Sequence, residues 1–160
     1  MSTYLGDVSG AFDRVFRDYL LAKLHSTGVS TQYLNFLDSY LQPRRAAVVV
    51  EGTASDEFEI ADTVFQGTVL GSPLWNSFFA DVARPASATG GKEAVFADDL
   101  NVFKLFDRLA PLEEVMQELT ECRQRVHSWG RANRVSFDAG KEHLVVLHPS
   151  AFSGDPFRLL

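Results

Sequence analysis

Three aspartates are the residues of this chain best suited to chemistry. Asp98 and Asp99 stand side by side between two short apolar runs, and Asp7 lies at the end of another predicted strand. Two adjacent carboxylates repel each other, so such a pair needs a compensating cation or costs stability. If the two strands are neighbours in one sheet, Asp7 and Asp98 meet at the same edge. This spacing favours either a solvated acidic loop or a site where two Mg²⁺ ions assist phosphoryl transfer.

The charge pattern concentrates the acidic excess in the middle of the chain. The net charge of −6, from 15 basic and 21 acidic residues, has the wrong sign for holding nucleic acid by charge attraction alone. Within residues 46–100, nine acidic side chains are balanced only by Arg84 and Lys92. The arginines that are candidates for phosphate contact are Arg44 and Arg45, together with Arg123, Arg125, Arg131 and Arg134. A solvated helix face explains the second group of four equally well.

Length and composition indicate one globular domain. The chain has 160 residues, of which 46% are apolar and 22% charged. No apolar run approaches the roughly 18 residues that a membrane span needs, and the N-terminus lacks the pattern of a secretory signal. We therefore expect an intracellular protein without membrane contact. Cys122 is the only cysteine, which excludes an internal disulfide, and its place on an apolar helical stripe predicts a core residue.

Apolar residues at helical spacing predict four helices. They lie at residues 12–25, 30–42, 73–82 and 111–129. Gly28 follows the first helix, and Ser30 or Thr31 is a suitable capping residue for the second. Pro73 and Pro111 stand in the first turns of the last two helices, where proline is tolerated.

Short apolar and β-branched runs predict strands between these helices. They are a strand ending at Asp7, a hairpin of 46–50 with 58–60, a hairpin of 94–97 with 100–105, and strands at 135–137 and 143–147. Asp98 and Asp99 would then form the tight turn of the second hairpin. Hairpins mixed with helices, without regular βαβ units, predict an α+β fold with a mostly antiparallel sheet and helices packed on one face.

Four segments together resemble the reverse transcriptases of non-LTR (LINE-type) retrotransposons and group II introns. Asp7-Val-Ser-Gly-Ala-Phe-Asp13 is similar to the first motif of the palm, the part of a polymerase that carries the catalytic carboxylates. Gln66-Gly-Thr-Val-Leu-Gly-Ser-Pro-Leu-Trp75 resembles the second motif, and Phe96-Ala-Asp-Asp99 the catalytic turn. The later motif is matched by Trp129, Asn133, Phe137 and Lys141. The four occur in the family's order across residues 5–147.

The resemblance implies a role for each matching position. Asp7, Asp98 and Asp99 would be catalytic residues and ligands of two Mg²⁺ ions, with Mn²⁺ as a substitute. Lys141 would stand near the leaving pyrophosphate, although a solvated loop lysine remains an alternative.

The second motif and the aromatic residue of the first would bind substrate. Phe12 would lie beneath the incoming sugar and exclude a 2′-hydroxyl, or else pack in the core. Gln66 and Gly67 would line the pocket for the nucleotide and template, where glycine permits close backbone approach.

The resemblance also implies an activity and its partners. The chain would be a single palm-like domain, residues 1–160, that adds deoxynucleoside triphosphates to a DNA primer 3′-hydroxyl on an RNA template. The fingers and thumb segments of the family are missing, so the isolated fragment is expected to be inactive. A truncated remnant that at most binds a partner remains the alternative. A nucleotide cyclase is disfavoured by the loop 66–73 and the turn 96–99.

Overall fold

Helices and strands are mixed along residues 1–60 and 64–147, the part of the chain described by this computed structural model. The helices are α1 (Arg17–Ser26), α2 (Thr31–Tyr40), α3 (Gly71–Phe79), α4 (Ala83–Ser87) and α5 (Leu112–Asn133). The strands are β1 (Ser2–Asp7), β2 (Arg44–Ala46), β3 (Val49–Val50), β4 (Thr53–Ala54), β5 (Phe58–Ile60), β6 (Lys92–Phe96), β7 (Asp99–Lys104) and β8 (His143–Val146). Of the described residues, 12–60 and 64–78 form one compact unit, and 1–11 with 79–147 form the other.

The unit formed by residues 1–11 and 79–147 is built on a four-stranded antiparallel sheet in the order β6-β7-β1-β8. Every second residue of β1 is buried, beginning at Ser2, and Leu100 and Val102 of β7 are buried beside them. Because alternate side chains of a strand point to opposite faces, one face of the sheet is covered. Helices α4 and α5 pack against this sheet.

Helix α5 contributes an apolar stripe to the core of the same unit, as its spacing predicted. The stripe is buried at Val115, Leu119, Cys122, Val126 and Trp129. The Sγ atom of Cys122 lies 3.5 Å from a backbone carbonyl of α4, and burial raises the pKa of its thiol. Cys122 is therefore a core residue, as expected, and not an activated nucleophile.

The predicted strand at 135–137 is wrong. The chain leaves α5 through Arg134 in the left-handed region, with φ 60°, and only Phe137 forms a β-bridge, to Val8. Val135 donates its backbone N–H to the carbonyl of Gly130 at the end of α5 instead of to a strand. The helix end therefore takes the first residue of the predicted strand, and pairing is confined to the bridge, where the Ser9 N–H donates to the Ser136 carbonyl and the Asp138 N–H to the Asp7 carbonyl.

Within residues 12–78, the first helix begins later than predicted. Residues 12–14 form a short 3₁₀ turn, and Phe16 has extended backbone angles, φ −74° and ψ 119°, so α1 starts at Arg17. The next helix starts as predicted, since Ser30 accepts a hydrogen bond from the backbone N–H of Tyr33 at 3.4 Å. An apolar stripe is compatible with an interruption, because spacing alone does not detect a single extended residue.

The predicted hairpin is confirmed, although its pairing is split into two short pieces. Strand β2 pairs with β5 from Arg44 to Ala46, and β3 pairs with β4 nearer the tip. The tip residues Glu51 and Gly52 both have positive φ, 50° and 81°. Two consecutive positive φ angles match the right-handed twist of antiparallel strands, so this turn favours a hairpin.

The fold class is α+β with antiparallel sheets, as predicted and as expected for a polymerase palm. Among the described residues, no helix is both long enough and apolar enough to cross a membrane.

Candidate active site

The site lies where strand β1 ends and strand β7 begins. The antiparallel register places Asp7 directly opposite Asp99. Directly opposite residues of an antiparallel pair have side chains on the same face, about 5 Å apart at Cβ. Asp99 is therefore the first residue of β7, and the prediction that it lies in the turn is wrong. The strand register therefore brings two of the three predicted carboxylates, Asp7 and Asp99, to one face of the sheet.

The third carboxylate, Asp98, lies at the tip of the β6–β7 hairpin. Phe96 pairs with Asp99, so the two turn residues are Ala97 and Asp98. Ala97 has a φ of 53° in the left-handed region, which L-residues rarely adopt. The backbone carbonyl of Asp98 accepts a hydrogen bond from the N–H of Val8 at 3.2 Å. This bond ties the hairpin tip to the residue that follows Asp7.

A third segment, residues 136–142, closes the site from the other side of Asp7. The carbonyl of Asp7 accepts a hydrogen bond from the N–H of Asp138 at 2.9 Å, and the N–H of Lys141 donates to the carbonyl of Asp138 at 2.9 Å. The Lys141 Nζ atom then donates to Asp7 Oδ2 at 2.9 Å. The Asp7 side chain is 15% exposed and that of Lys141 is 64% exposed. Sequence positions 7 and 141 therefore meet, a contact that the sequence analysis did not predict.

The surroundings of Lys141 favour its charged form. The hydrogen bond to Asp7 and the negative charge of that carboxylate raise the pKa of Lys141, and the charges of Asp138 and Asp98 act in the same direction. Partial removal from water opposes this effect without reversing it. The amine therefore enters the site as an ammonium group with hydrogen-bond donors and no acceptor.

Asp7, Asp99 and Lys141 line an open pocket of about 260 Å³ on the uncovered side of the sheet. Its lining residues are Leu5, Gly6, Asp7, Asp99, Asn101, Lys141 and His143. An open, polar pocket on a sheet face suits an extended, solvated ligand better than a small apolar one.

The three carboxylates are chemically suited to a divalent metal ion, but their arrangement in the structure suits one less well. Three carboxylates supply the hard oxygen ligands that Mg²⁺ prefers, and such sites use one or two carboxylates with substrate phosphates. Within residues 1–60 and 64–147, however, no three His, Cys, Asp or Glu side chains are grouped closely enough to hold one ion. Lys141 also occupies one oxygen of Asp7. A metal would therefore need the ammonium group to move and a phosphate to complete its ligands.

The predicted substrate-binding residues belong to the other compact unit. Phe12 is half-buried, and its ring stacks on Trp75 with centroids 6.0 Å apart. Gln66 is exposed, and Gly67 has a φ of 75°, so it occupies a turn that suits glycine. No described atom lies within 4 Å of the position that a Cβ of Gly67 would take. The roles predicted for these three residues remain predictions.

A second glycine, Gly71, shapes the same loop through a close contact. A Cβ on Gly71 would lie 2.9 Å from the carbonyl oxygen of Phe65 and 3.5 Å from the Phe12 ring. Because the nearest atom belongs to the backbone, it could not yield cheaply. Gly71 therefore allows the 66–71 loop and Phe12 to pack closely.

Sequence reasoning missed Glu142, the residue next to Lys141. Its side chain is only 4% exposed, and it contacts Tyr4, Arg123 and His127. Arg123, a candidate for phosphate contact, uses its guanidinium on this carboxylate instead. No sequence signal identified the cluster of Tyr4, Arg123, His127 and Glu142. These residues are far apart in the chain, and the matched motif includes only their neighbour Lys141.

Comparison with known proteins gives the same assignment over nearly the whole chain. A family model described as reverse transcriptase (RNA-dependent DNA polymerase) matches residues 3–154. The RNA-directed DNA polymerase from mobile element jockey of Drosophila funebris is 32% identical over 140 residues, which are 84% of this chain and 15% of that protein. The probable RNA-directed DNA polymerase from transposon X-element of Drosophila melanogaster is 31% identical over 87% of this chain. The chain spans about 15% of the length of these two relatives.

Proposed function

The chain belongs to the reverse transcriptase (RNA-dependent DNA polymerase) family, in its LINE-type branch, and on this basis we propose that it is the catalytic palm of an RNA-directed DNA polymerase. The observation that carries the proposal is the β1–β7 register, which sets Asp7 opposite Asp99 beside the hairpin tip at Asp98. The substrates in this proposal are deoxynucleoside triphosphates, a DNA primer and an RNA template.

The reaction joins the primer 3′-oxygen to the α-phosphorus of the nucleotide and releases pyrophosphate. Negative charge on the phosphate oxygens must be stabilised in the transition state, so positioning and electrostatics supply most of the catalysis. Enzymes of this family generally use divalent metal ions. Asp7, Asp98 and Asp99 would hold two of them, and bound ions would supply the charge stabilisation for the attacking and leaving oxygens.

Lys141 has the position and charge to act on the leaving group. Its Nζ atom lies beside Asp7, and its side chain is 64% exposed. A long, exposed side chain can exchange one anionic partner for another without moving the backbone. In this proposal the ammonium group leaves Asp7 when substrate binds and neutralises, or protonates, the departing pyrophosphate.

The expected test of the catalytic carboxylates uses the complete polypeptide that contains this chain. Primer extension on an RNA template is expected to vanish in Asp98→Ala, because one of three metal-binding carboxylates is lost. The matched control is Asp56→Ala, which removes an exposed aspartate from the hairpin of the other unit. Undiminished extension by Asp98→Ala would overturn the assignment of the catalytic turn.

A non-catalytic palm remnant is the second candidate. It is supported by the geometry of the described residues, in which no three potential metal ligands are grouped. The same experiment separates the two: a remnant gives no primer extension even in the complete parent polypeptide with Mg²⁺ or Mn²⁺. The flanking reading frame gives a second test, since intact fingers and thumb sequences are expected only for a working enzyme.

A further inference from the structure

A cluster of polar and charged side chains surrounds Glu142, the residue next to Lys141. The Glu142 side chain is only 4% exposed. The carboxylate of Glu142 accepts a hydrogen bond from the Tyr4 hydroxyl at 2.6 Å and lies 2.6 Å from the Nε2 atom of His127. Its other oxygen, Oε2, accepts two hydrogen bonds from the guanidinium of Arg123, at 3.0 and 3.2 Å. Both oxygens of a nearly buried carboxylate are therefore satisfied.

This cluster joins three elements at one point. Tyr4 comes from β1, Arg123 and His127 come from α5, and Glu142 is the residue before β8. Gly6 contributes by lacking a side chain, since a Cβ there would lie 2.7 Å from the Tyr4 hydroxyl oxygen. Removing one partner of such a buried, hydrogen-bonded charge is costly, so the position of Glu142 is strongly determined.

The anchoring of Glu142 also restricts the backbone of Lys141, because the two residues are adjacent in the chain. The Lys141 side chain is exposed and has four rotatable bonds, so the contact with Asp7 must overcome a loss of rotamer freedom. The entropy cost of forming the contact is smaller when other contacts already fix the backbone that carries the side chain. The next residue, Glu142, is anchored by its side-chain contacts, and the Lys141 N–H donates to the carbonyl of Asp138.

We propose that Glu142, whose side chain is nearly buried, is a positioning residue, which holds Lys141 against Asp7 through its contacts with Tyr4, Arg123 and His127. The proposal deepens the proposed function and rests on it for the catalytic consequence. Glu142 does not line the open pocket beside Asp7, so it acts through Lys141 and not on the substrate itself.

The geometric part is tested without any polymerase activity. A water-soluble carbodiimide joins a carboxylate to an amine only when the two are in contact, and mass spectrometry quantifies the Asp7–Lys141 product. The yield is expected to fall severalfold in Glu142→Gln and to stay at the parent level in Glu114→Gln, which alters an exposed carboxylate of α5. A parent-level yield in folded Glu142→Gln overturns the proposal.

The catalytic part is tested by a double-mutant cycle in the complete polypeptide. Glu142→Gln is expected to lower kcat for primer extension about tenfold, because small displacements of a catalytic group are costly. The KM for the nucleotide is expected to change much less. In a Lys141→Ala background the same substitution is expected to change kcat by less than about twofold. Equal effects in both backgrounds would show that Glu142 acts independently of Lys141 and overturn the proposal.

The two failures can be distinguished. An inactive complete parent refutes the proposed function, whereas the carbodiimide yield still decides whether Glu142 positions Lys141. If Glu142→Gln does not fold, Tyr4→Phe removes a single donor from Glu142 and keeps the buried ring. Tyr4→Phe is expected to lower the yield in the same direction by a smaller factor, and an unchanged yield in that folded variant counts against the proposal.

Discussion

At the scale of single residues, Asp7 is the most constrained member of the site. Its backbone carbonyl binds Asp138, its side chain binds Lys141, and its strand partner is Asp99. The following residue, Val8, binds the hairpin tip. Four separate contacts therefore determine where one carboxylate lies. Such preorganisation is what catalysis by positioning requires.

Phe12 gives a prediction about sugar selection. In the complete enzyme, Phe12→Val is expected to raise ribonucleotide incorporation relative to deoxyribonucleotide about tenfold or more, because a smaller side chain leaves room for the 2′-hydroxyl. The loss of part of the Trp75 contact is expected to cost about 1 kcal/mol of stability. Competition between the two nucleotide types in primer extension measures the preference.

The control for this substitution is Phe16→Val, which alters another half-buried phenylalanine of the same unit. It is expected to leave sugar preference unchanged. A parent-like preference in Phe12→Val would assign Phe12 to the core alone.

Glu142 gives a prediction about pH. Burial opposes its ionisation and is the largest single effect, but hydrogen bonds from Tyr4, His127 and Arg123 outweigh it and hold the pKa of Glu142 below its ordinary value. A carboxyl whose pKa is lowered by folding adds stability above its unfolded pKa, and that stability is lost as pH falls through the folded value. The stability gap between the parent and Glu142→Gln is therefore expected to be largest near neutral pH and to shrink below about pH 4.5.

Urea unfolding at a series of pH values measures this gap. Glu114→Gln is the control, and its difference from the parent is expected to stay small throughout. A gap for Glu142→Gln that did not change between neutral and acidic pH would contradict the assigned ionic state of the cluster.

At the scale of elements, the β6–β7 hairpin combines a regular ladder with a strained tip. Five residue pairs join its strands, yet Ala97 at the tip has a φ of 53°. Non-glycine residues in this region cost roughly 1–2 kcal/mol. The exposed methyl group of Ala97 gains little from burial in return. Strain of this kind persists where the surrounding contacts determine the conformation. Here those contacts are the β6–β7 pairs, which fix the positions of Asp98 in the turn and Asp99 at the start of β7.

Ala97→Gly is therefore expected to stabilise the fold, by about 0.5–1 kcal/mol after the greater freedom of unfolded glycine is counted. The matched control is Ala94→Gly, at an exposed position of regular β6, which is expected to lower stability by a similar amount. Chemical denaturation of both variants measures whether each substitution raises or lowers the free energy of unfolding. A destabilised Ala97→Gly would mean that the tip carries no relievable strain.

At the scale of the whole molecule, the predicted catalytic residues and the predicted substrate-binding residues belong to different compact units. Asp7, Asp98, Asp99 and Lys141 belong to the unit of residues 1–11 and 79–147, whereas Phe12, Gln66 and Gly67 belong to the other. The aspartates also lie in a chain whose net charge is −6. Bound cations are therefore expected to affect the stability of the chain as a whole.

Mg²⁺ or Mn²⁺ is expected to raise the melting temperature, by about 3 °C when the ion exceeds its Kd roughly tenfold. Millimolar concentrations are expected to be necessary without nucleotide phosphates. Asp98→Asn removes one repelling charge, so this variant is expected to be more stable than the parent without metal and to gain less from adding it. Differential scanning calorimetry with and without metal measures both effects.

Asp56→Asn is the control, because it changes the net charge equally at an exposed position of the other unit. It is expected to respond to metal as the parent does. An Asp98→Asn variant that is less stable without metal, and responds to metal like the parent, would make Asp98 only a turn residue, since losing a turn hydrogen bond costs about 1 kcal/mol.

The sequence by itself determined the features that depend on neighbouring residues. The motif order predicted that Asp7, Asp98, Asp99 and Lys141 belong to one site. Local signals such as the Ser30 cap and the Pro111 helix start were confirmed. These signals work because capping, proline geometry and hydrophobic spacing act within a few residues of chain. The α+β class followed from the same local patterns.

Only the tertiary structure decided how distant residues meet. It moved Asp99 from the turn to a strand position opposite Asp7, placed the Lys141 ammonium on the Asp7 carboxylate, and buried Glu142. Tyr4 and Glu142 are 138 residues apart in sequence yet 2.6 Å apart at their bonded oxygens. Strand register and the pairing of buried charges are set by long-range contacts, for which a local sequence pattern carries no signal.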